Sequence, residues 1–121
     1  MCTSFEPTKA PEDGDIRLSN GTSDANGRLE ILYDGQWGTV CNTGWTFAQA
    51  HVACRQLGFL GAQSHEFPDA VDAKSGDPIF LDGVICEGTE ETLLNCSNAG
   101  FGSKSTTCDH SQDVAIECLK G

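Results

Sequence analysis

Seven cysteines in a chain of 121 residues constrain the fold more than any other feature of this sequence. So many cysteines in a short chain are typical of a disulfide-bonded domain made in an oxidising compartment. A zinc site would favour pairs of ligands separated by about two to four residues, and no two of these cysteines are that close. Because Cys2 lies in a polar tail, we expect a disulfide framework built from the other six, whose spacing alone leaves the pairing open. They are Cys41, Cys54, Cys86, Cys96, Cys108 and Cys118.

Length and charge narrow the class of protein further. The chain is long enough for one domain with a modest core. Seven basic against 18 acidic residues give a formal charge of −11, whereas nucleic-acid binding needs a cationic surface. This charge supports solubility and would attract basic partners or cations. We therefore exclude nucleic acid as a partner.

The sequence contains no apolar run long enough to span a membrane, and its first residues lack the basic and apolar regions of a signal peptide. A disulfide-rich chain must still enter the secretory route. We therefore interpret the sequence as a mature fragment or as one module of a longer protein. We expect it to be secreted or displayed at the cell surface without inserting into the membrane.

The segment 27–41 predicts a β-hairpin. Two strand-like halves flank Asp34-Gly35, and such a pair favours a tight turn because both positions tolerate a positive φ. In the first half, Arg28 and Glu30 alternate with apolar residues. We therefore expect these two charged side chains to face outward.

A helix is predicted shortly after this hairpin. Thr46 and Gln49 have the spacing of a capping box, in which each side chain bonds a free backbone amide of the first turn. Gly58 is typical of a helix end. His51 is expected on the solvated side. The apolar residues at helical spacing, which predict the buried face, are Phe47, Ala50, Cys54 and Leu57.

The remaining pattern predicts short elements. They are strands at 16–18, 63–67, 78–86 and 114–118. Gly83 predicts a bend within the third of these strands. The segment 89–95 predicts a short helix with Leu93 and Leu94 turned inward. Residues 1–14 are polar and are expected to form a linker or disordered tail.

The ordered motifs of the chain resemble those of a scavenger receptor cysteine-rich (SRCR) domain. They are the hairpin 27–41, Trp45, ACRQLGF at 53–59, PIFLD at 78–82, CEGTE at 86–90, LNC at 94–96 and the segment 108–118. We assign residues 15–119 to this domain. In the eight-cysteine group of the family, an extra disulfide would fall near Ala25 and Phe59. Because neither is cysteine, the chain resembles the six-cysteine group A.

The resemblance implies both a fold and a disulfide pattern. The expected fold is a small disulfide-rich α+β domain, with a curved antiparallel sheet that cradles one main helix and a second short helix. The implied pairs are Cys41–Cys108, Cys54–Cys118 and Cys86–Cys96.

The resemblance also raises the question of whether this chain binds calcium. Several members of the family bind calcium through two aspartates after the cysteine matching Cys41 and a glutamate before the aspartate matching Asp113. Asn42, Thr43 and Gln112 occupy those positions here, and neutral oxygens bind calcium less well than carboxylates. Asp82 matches an aspartate of a second family site, although Thr107 replaces its asparagine partner. We therefore treat Asp82, Asn42 and Gln112 as weak metal candidates, predict weak or absent calcium binding and expect no other cofactor.

No catalytic motif accompanies these features. The nearest stretch to a nucleophile elbow, at 100–104, does not match Gly-x-Ser-x-Gly. His51, His65 and His110 have no companion motif, and His110 is expected to make a structural hydrogen bond near a disulfide. We therefore expect no enzymatic activity.

The predicted function is ligand binding outside the cell. The resemblance implies a module of a scavenger or innate-immune receptor that binds a protein or glycan. The alternative is a non-catalytic targeting module of a mosaic secreted enzyme, such as a trypsin-like protease or a lysyl oxidase-like protein. Arg28 and Glu30 are ligand candidates because the hairpin resembles the family's proposed pathogen-binding segment. The basic residues are scattered, so we do not expect direct polyanion binding.

Two Asn-x-Ser/Thr sequons predict a glycoprotein. Asn20 begins the first sequon, which lies in a predicted turn and is the better candidate. Asn95 begins the second, whose middle residue is Cys96, a cysteine expected to form a disulfide.

Overall fold

The computed structural model describes residues 12–67, 78–81, 83–97 and 110–119, and all structural statements below concern these ranges. Their strands, in chain order, are β1 (Ile16–Ser19), β2 (Asn26–Tyr33), β3 (Gln36–Val40), β4 (Gly61–Ser64), β5 (Ile79–Leu81) and β6 (Ala115–Leu119). The helix α1 (Phe47–Gln56) lies between β3 and β4, and short 3-10 turns occupy Leu93–Asn95 and His110–Gln112.

The strands form one mixed sheet in the order β4-β6-β2-β3-β5, and β1 also pairs with β2. The hairpin prediction is confirmed, since β2 and β3 are antiparallel and join at Asp34 and Gly35, whose φ angles are 52° and 77°. The predicted α+β class is confirmed as well. One pair, β3 with β5, is parallel, so the sheet is not purely antiparallel. A parallel pair requires a long crossover, which here contains α1 and β4.

The core lies between α1 and one face of the sheet. Leu29 and Ile31 of β2 are fully buried there, as the alternation of that strand predicts. Ala50, Val52 and Cys54 of the helix are also fully buried. Removal of this apolar surface from water is the main stabilising term of such a domain.

Disulfides fasten the helix and a loop to this core. Cys54–Cys118 joins α1 to β6 across 64 residues, and Cys86–Cys96 closes a loop that contains the first 3-10 turn. Both pairs are those implied by the SRCR resemblance. Cys41 is disulfide-bonded too. Its implied partner Cys108 lies outside the described residues, as do Cys2 and residues 1–11 of the predicted tail.

The start of the helix differs from the prediction. Thr46 is the N-cap residue, but its hydroxyl donates to the side-chain oxygen of Gln49 at 2.6 Å and accepts no hydrogen bond from a backbone amide of the first turn. Gln49 is buried and donates to the carbonyls of Gly44 and Val84 at 2.7 and 2.9 Å. The predicted capping box is therefore wrong, because the side chain of Gln49 satisfies carbonyls from two other segments.

The buried face of the helix is also shifted from the predicted one. Phe47 is 48% exposed and Leu57 only partly buried, whereas Val52 and Ala53 are fully buried. The helix ends as predicted at Gly58, whose φ is 97°. The amides of Gly58 and Phe59 donate to carbonyls one turn back, in the pattern of a Schellman motif.

Three other predicted elements are shorter or displaced. The strand predicted at 63–67 is β4 at Gly61–Ser64, and that predicted at 78–86 extends only over Ile79–Leu81. The second short helix is the 3-10 turn Leu93–Asn95. Leu93 is buried, but Leu94 is 37% exposed, so the prediction that both leucines face inward is wrong. In a 3-10 turn, successive residues point in different directions.

Candidate functional site

The predicted ligand residues Arg28 and Glu30 form a buried ion pair on β2. The Nε and Nη2 atoms of Arg28 donate to Oε2 of Glu30 at 3.1 and 2.8 Å. The other carboxylate oxygen of Glu30 accepts from Arg17 Nε at 2.8 Å and from Ser19 Oγ at 3.0 Å. Each residue of the pair is only 7% exposed. The expectation that both side chains face outward into solvent is therefore wrong, whereas ligand contact through these residues stays a prediction.

This network also sets the acidity of Glu30. Burial raises the pKa of Glu30, but hydrogen bonds from Arg28, Arg17 and Ser19 more than offset this, and the pKa lies below its usual value of 4.5. Glu30 is therefore held as a carboxylate in the folded protein.

Arg17 is the member of the network that reaches solvent. Its side chain is 48% exposed, and its guanidinium carbon lies 4.2 Å from the ring centre of Trp37. This distance is within the range of a cation–π interaction. Sequence reasoning missed this residue, although pairing of 16–18 with the hairpin would have placed Arg17 opposite Glu30.

A second buried polar group lies where β3 approaches the start of β6. Nδ1 of His110 lies 2.8 and 3.0 Å from the two carboxylate oxygens of Asp113, and Thr39 Oγ1 lies 3.4 Å from the same nitrogen. The Asp113 side chain is 2% exposed. His110 therefore makes a structural interaction within the fold.

The residues at the family's usual calcium positions meet in space but supply no carboxylate of their own. The amide of Asn42 donates to the Gln112 carbonyl at 2.9 Å, which places these residues side by side. Both carboxylate oxygens of the adjacent Asp113 contact His110. The exposed side chains of Asn42 and Thr43 offer neutral oxygens, so this donor set does not fit Ca²⁺ well. Asp82 and Thr107 lie outside the described residues.

Cys86, Glu90 and Cys96 place potential ligand atoms within 4.8 Å of one another. The two sulfurs form a disulfide, so they offer no thiolate to a metal. The Glu90 carboxylate accepts from the amides of Glu87 and Gly88 at 2.9 and 3.0 Å. The bond from Glu87 holds the pKa of Glu90 below its usual range. This cluster shapes the loop and provides no metal site in the oxidised protein.

His51 is partly buried and not simply solvated as predicted. Its ring stacks on Phe47 with centroids 6.1 Å apart, and its Nδ1 accepts from the Ala62 amide at 3.4 Å. Gly61 leaves room for this ring, because a Cβ there would lie 2.4 Å from it. His51 therefore links the helix to β4.

The exposed charges of the described residues are mostly negative. The exposed acidic residues are Glu12, Asp13, Asp15, Asp24, Asp34, Glu66, Glu87 and Glu91. Within the same ranges, the exposed basic residues are Arg17 and Arg55. The surface that remains accessible is therefore better suited to a cationic ligand than to an anionic one.

Comparison with known proteins identifies the family. The model of the scavenger receptor cysteine-rich domain matches residues 19–119. Galectin-3-binding proteins from Rattus norvegicus and Bos taurus are 42% and 43% identical over 111 residues, or 92% of this chain. The chain spans only 19% and 20% of the length of these relatives.

Solved structures show the same relationship. The third SRCR domain of murine neurotrypsin is 37% identical with a TM-score of 0.70, and the SRCR domain of mouse MARCO, solved in a dimeric form, is 37% identical with a TM-score of 0.64. Each match covers 86% of this chain and 94% of the other. Among the described residues, no helix is long and apolar enough to cross a membrane. The chain belongs to the scavenger receptor cysteine-rich family.

Proposed function

We propose that this chain is a non-catalytic ligand-binding module of a larger extracellular protein, of the scavenger or innate-immune receptor type. The family and the disulfides place it outside the cell, secreted or at the cell surface. The observation that supports the proposal is the distribution of charged side chains between the interior and the surface of the described residues. Arg28, Glu30 and Asp113 are paired inside the fold, whereas exposed carboxylates remain for contact with a partner.

The ligand that suits this surface is a protein with a basic face. Carboxylates spread over the surface accelerate encounter with a cationic partner and repel an anionic one. Capture of polyanions would need a basic cluster or a bound cation. The described surface exposes only Arg17 and Arg55, and the residues at the calcium positions are neutral. Direct binding of polyanions is therefore not part of the proposal.

A comparison of two charge-matched variants tests whether the surface contains a defined site. One variant carries Glu12→Gln, Asp15→Asn and Asp34→Asn; the other carries Glu66→Gln, Glu87→Gln and Glu91→Gln. Binding of poly-L-lysine to the immobilised oxidised chain is measured by interferometry at low and physiological salt, with dextran sulfate as the anionic probe.

We expect poly-L-lysine to bind in a salt-dependent manner and dextran sulfate not to bind. One variant should lose more affinity than the other, because a defined site uses particular carboxylates. Equal losses of affinity would show that binding depends only on the net charge of the chain. That result would overturn a defined site for a cationic ligand. Binding of dextran sulfate would overturn the proposed ligand chemistry.

A galectin is a specific candidate partner, because the relatives are galectin-3-binding proteins by name. Recombinant galectin-3 can be tested directly on the immobilised chain, with and without lactose. Binding that lactose abolishes would indicate recognition of carbohydrate on this chain, and binding that resists lactose would indicate protein contact. No binding would exclude this partner for the isolated module.

The alternative is a non-catalytic targeting module of a mosaic secreted enzyme. The fold similarity to the third SRCR domain of murine neurotrypsin supports a module that can occur repeatedly in one longer protein. The sequence of the full gene product separates the two proposals. A collagenous stalk with a membrane span would support the receptor, whereas a catalytic domain would support the enzyme.

A further inference from the structure

Asn20 is an exposed residue whose side-chain amide is oriented by the buried network of β2. It follows β1 directly and has a φ of 59°. In the amide orientation that satisfies both groups, its Oδ1 atom accepts from Nη1 and Nη2 of Arg28 at 3.1 and 3.2 Å. Because Oδ1 faces the guanidinium, Nδ2 lies on the other side of the amide group. Glu30 in turn fixes Arg28.

Thr22, the third residue of the first sequon, is held by hydrogen bonds to Asn26. The amide of Thr22 donates to Asn26 Oδ1 at 2.7 Å, and Asn26 Nδ2 donates to the Thr22 hydroxyl at 3.1 Å. Asn26 is buried, while residues 20–24 are exposed. A bulky group on Asn20 would therefore extend into solvent without displacing the core.

The second sequon, which begins at Asn95, lies at a 3-10 turn and contains a disulfide-bonded cysteine. Oδ1 of Asn95 accepts from the Thr92 hydroxyl at 3.0 Å within a 3-10 turn. The next residue, Cys96, is buried and bonded to Cys86 only ten residues earlier. The disulfide therefore fixes the middle residue of this sequon inside the fold.

We propose that Asn20 carries an N-linked glycan in the secreted protein and that Asn95 is unmodified. The glycan on Asn20 covers the C-terminal end of β1. In the transfer, a bond forms between Asn20 Nδ2 and the anomeric carbon of an oligosaccharide linked to a lipid pyrophosphate. The bond from that carbon to the pyrophosphate oxygen breaks, the lipid pyrophosphate leaves and the departing pyrophosphate takes up the proton that the amide loses. The step needs no oxidant or reductant.

The position of Asn20 gives the glycan a structural consequence. Ser19, its neighbour, donates to the same Glu30 carboxylate that Arg17 contacts. Carbohydrate on Asn20 therefore stands beside the exposed guanidinium of Arg17 and limits access to it. This inference rests on passage through the secretory route and not on the proposed ligand, so either can fail without the other.

The first test maps the glycan on the whole chain secreted from mammalian cells. Peptide mass spectrometry after enzymatic deglycosylation in ¹⁸O-water marks each occupied asparagine. We expect the label on Asn20 and not on Asn95. An unlabelled Asn20 or a labelled Asn95 in the wild-type chain would overturn the proposal, and this result does not depend on any variant folding.

The second test measures shielding with a matched pair of variants. Thr22→Ser keeps the sequon and Thr22→Ala removes it, while Asn20 is intact in both. Phenylglyoxal modification of Arg17 is compared with that of Arg55, an exposed residue on α1 that serves as an internal control. The ratio of Arg17 to Arg55 modification should rise severalfold in Thr22→Ala. An unchanged ratio would overturn the shielding of β1.

Discussion

Arg28 and Glu30 lie two residues apart on one strand and form an ion pair in which both side chains are less than a tenth exposed. Neighbours at this spacing share a face of the sheet, so the pair belongs to the face opposite the core. Both charges are removed from water; Arg17 and Ser19 donate to the Glu30 carboxylate, and Oδ1 of Asn20 accepts from the Arg28 guanidinium. The hairpin therefore holds a buried ion pair that contributes to the structure of the domain.

Glu30→Gln should destabilise the domain by about 3–5 kcal/mol, because it leaves the Arg28 guanidinium buried without its charge partner. Arg17→Gln is the matched control, since Arg17 contacts the same carboxylate from a half-exposed position. It should cost about 1 kcal/mol or less. Urea unfolding with the disulfides intact measures both. Equal losses would show that burial of Arg28 is not what makes the pair important.

The Glu30 interaction should also disappear in acid. Its pKa is lowered in the folded state, so its contribution is fully present above the unfolded pKa of about 4.5 and is lost as pH falls through the folded pKa. The difference in unfolding free energy between wild type and Glu30→Gln should therefore be constant above about pH 5.5 and narrow below pH 4.5. Glu91→Gln, at an exposed carboxylate, is the charge-matched control. A difference that widened in acid would contradict the pairing.

Gln49 should be far more sensitive to loss of its amide than Gln56. Each bridges two segments, but Gln49 is 2% exposed and Gln56 is half-buried. Gln49→Met keeps the shape and leaves the carbonyls of Gly44 and Val84 without this donor, which should cost about 2–4 kcal/mol. Gln56→Met should cost about 1 kcal/mol. Thermal unfolding measures the two variants, and equal shifts would contradict a special role for Gln49.

Restoration of the carboxylates should create a calcium site. We expect no calorimetric heat from wild type up to millimolar calcium, and a dissociation constant of about 10⁻⁴–10⁻³ M for the variant Asn42→Asp, Thr43→Asp, Gln112→Glu. Asn42 and Gln112 are already in contact through the backbone, so the new ligands would converge.

A control variant for calcium binding adds the same charge elsewhere, through Gln36→Glu, Gln63→Glu and Ser97→Asp at exposed positions. It should not bind calcium. Micromolar binding by wild type would show that a site exists without the usual carboxylates, and Asp82→Ala would then test the second candidate position.

The sequence correctly predicted those elements that are determined by residues close together in the chain. Asp34-Gly35 specifies a turn with two positive φ angles, and Gly58 specifies the helix end, so both were predicted correctly. The prediction of a capping box was wrong because Gln49 bonds a residue that is distant in the sequence. The spacing of Thr46 and Gln49 is a local pattern, but Gln49 bonds a carbonyl 35 residues away at Val84. Nothing near Gln49 in the sequence reports that partner.

The candidate site was harder to predict than the fold. Alternation along β2 correctly separated Leu29 and Ile31 from Arg28 and Glu30, but it cannot show whether the second face of a sheet is covered. The structure shows that Arg28 and Glu30 form a buried ion pair on that face. By contrast, Asn42 and Gln112 were predicted to share one place, and they lie in direct backbone contact.

The Cys54–Cys118 disulfide makes one covalent ring of the chain between its two cysteines, a separation of 64 residues. A protease that cuts once inside this ring separates no fragment, because both pieces are still joined through sulfur. Such a nicked molecule would migrate as one species until reductant is added and as two afterwards. For a module that works among extracellular proteases, the bridge thus preserves the integrity of the molecule after the backbone itself has been cut.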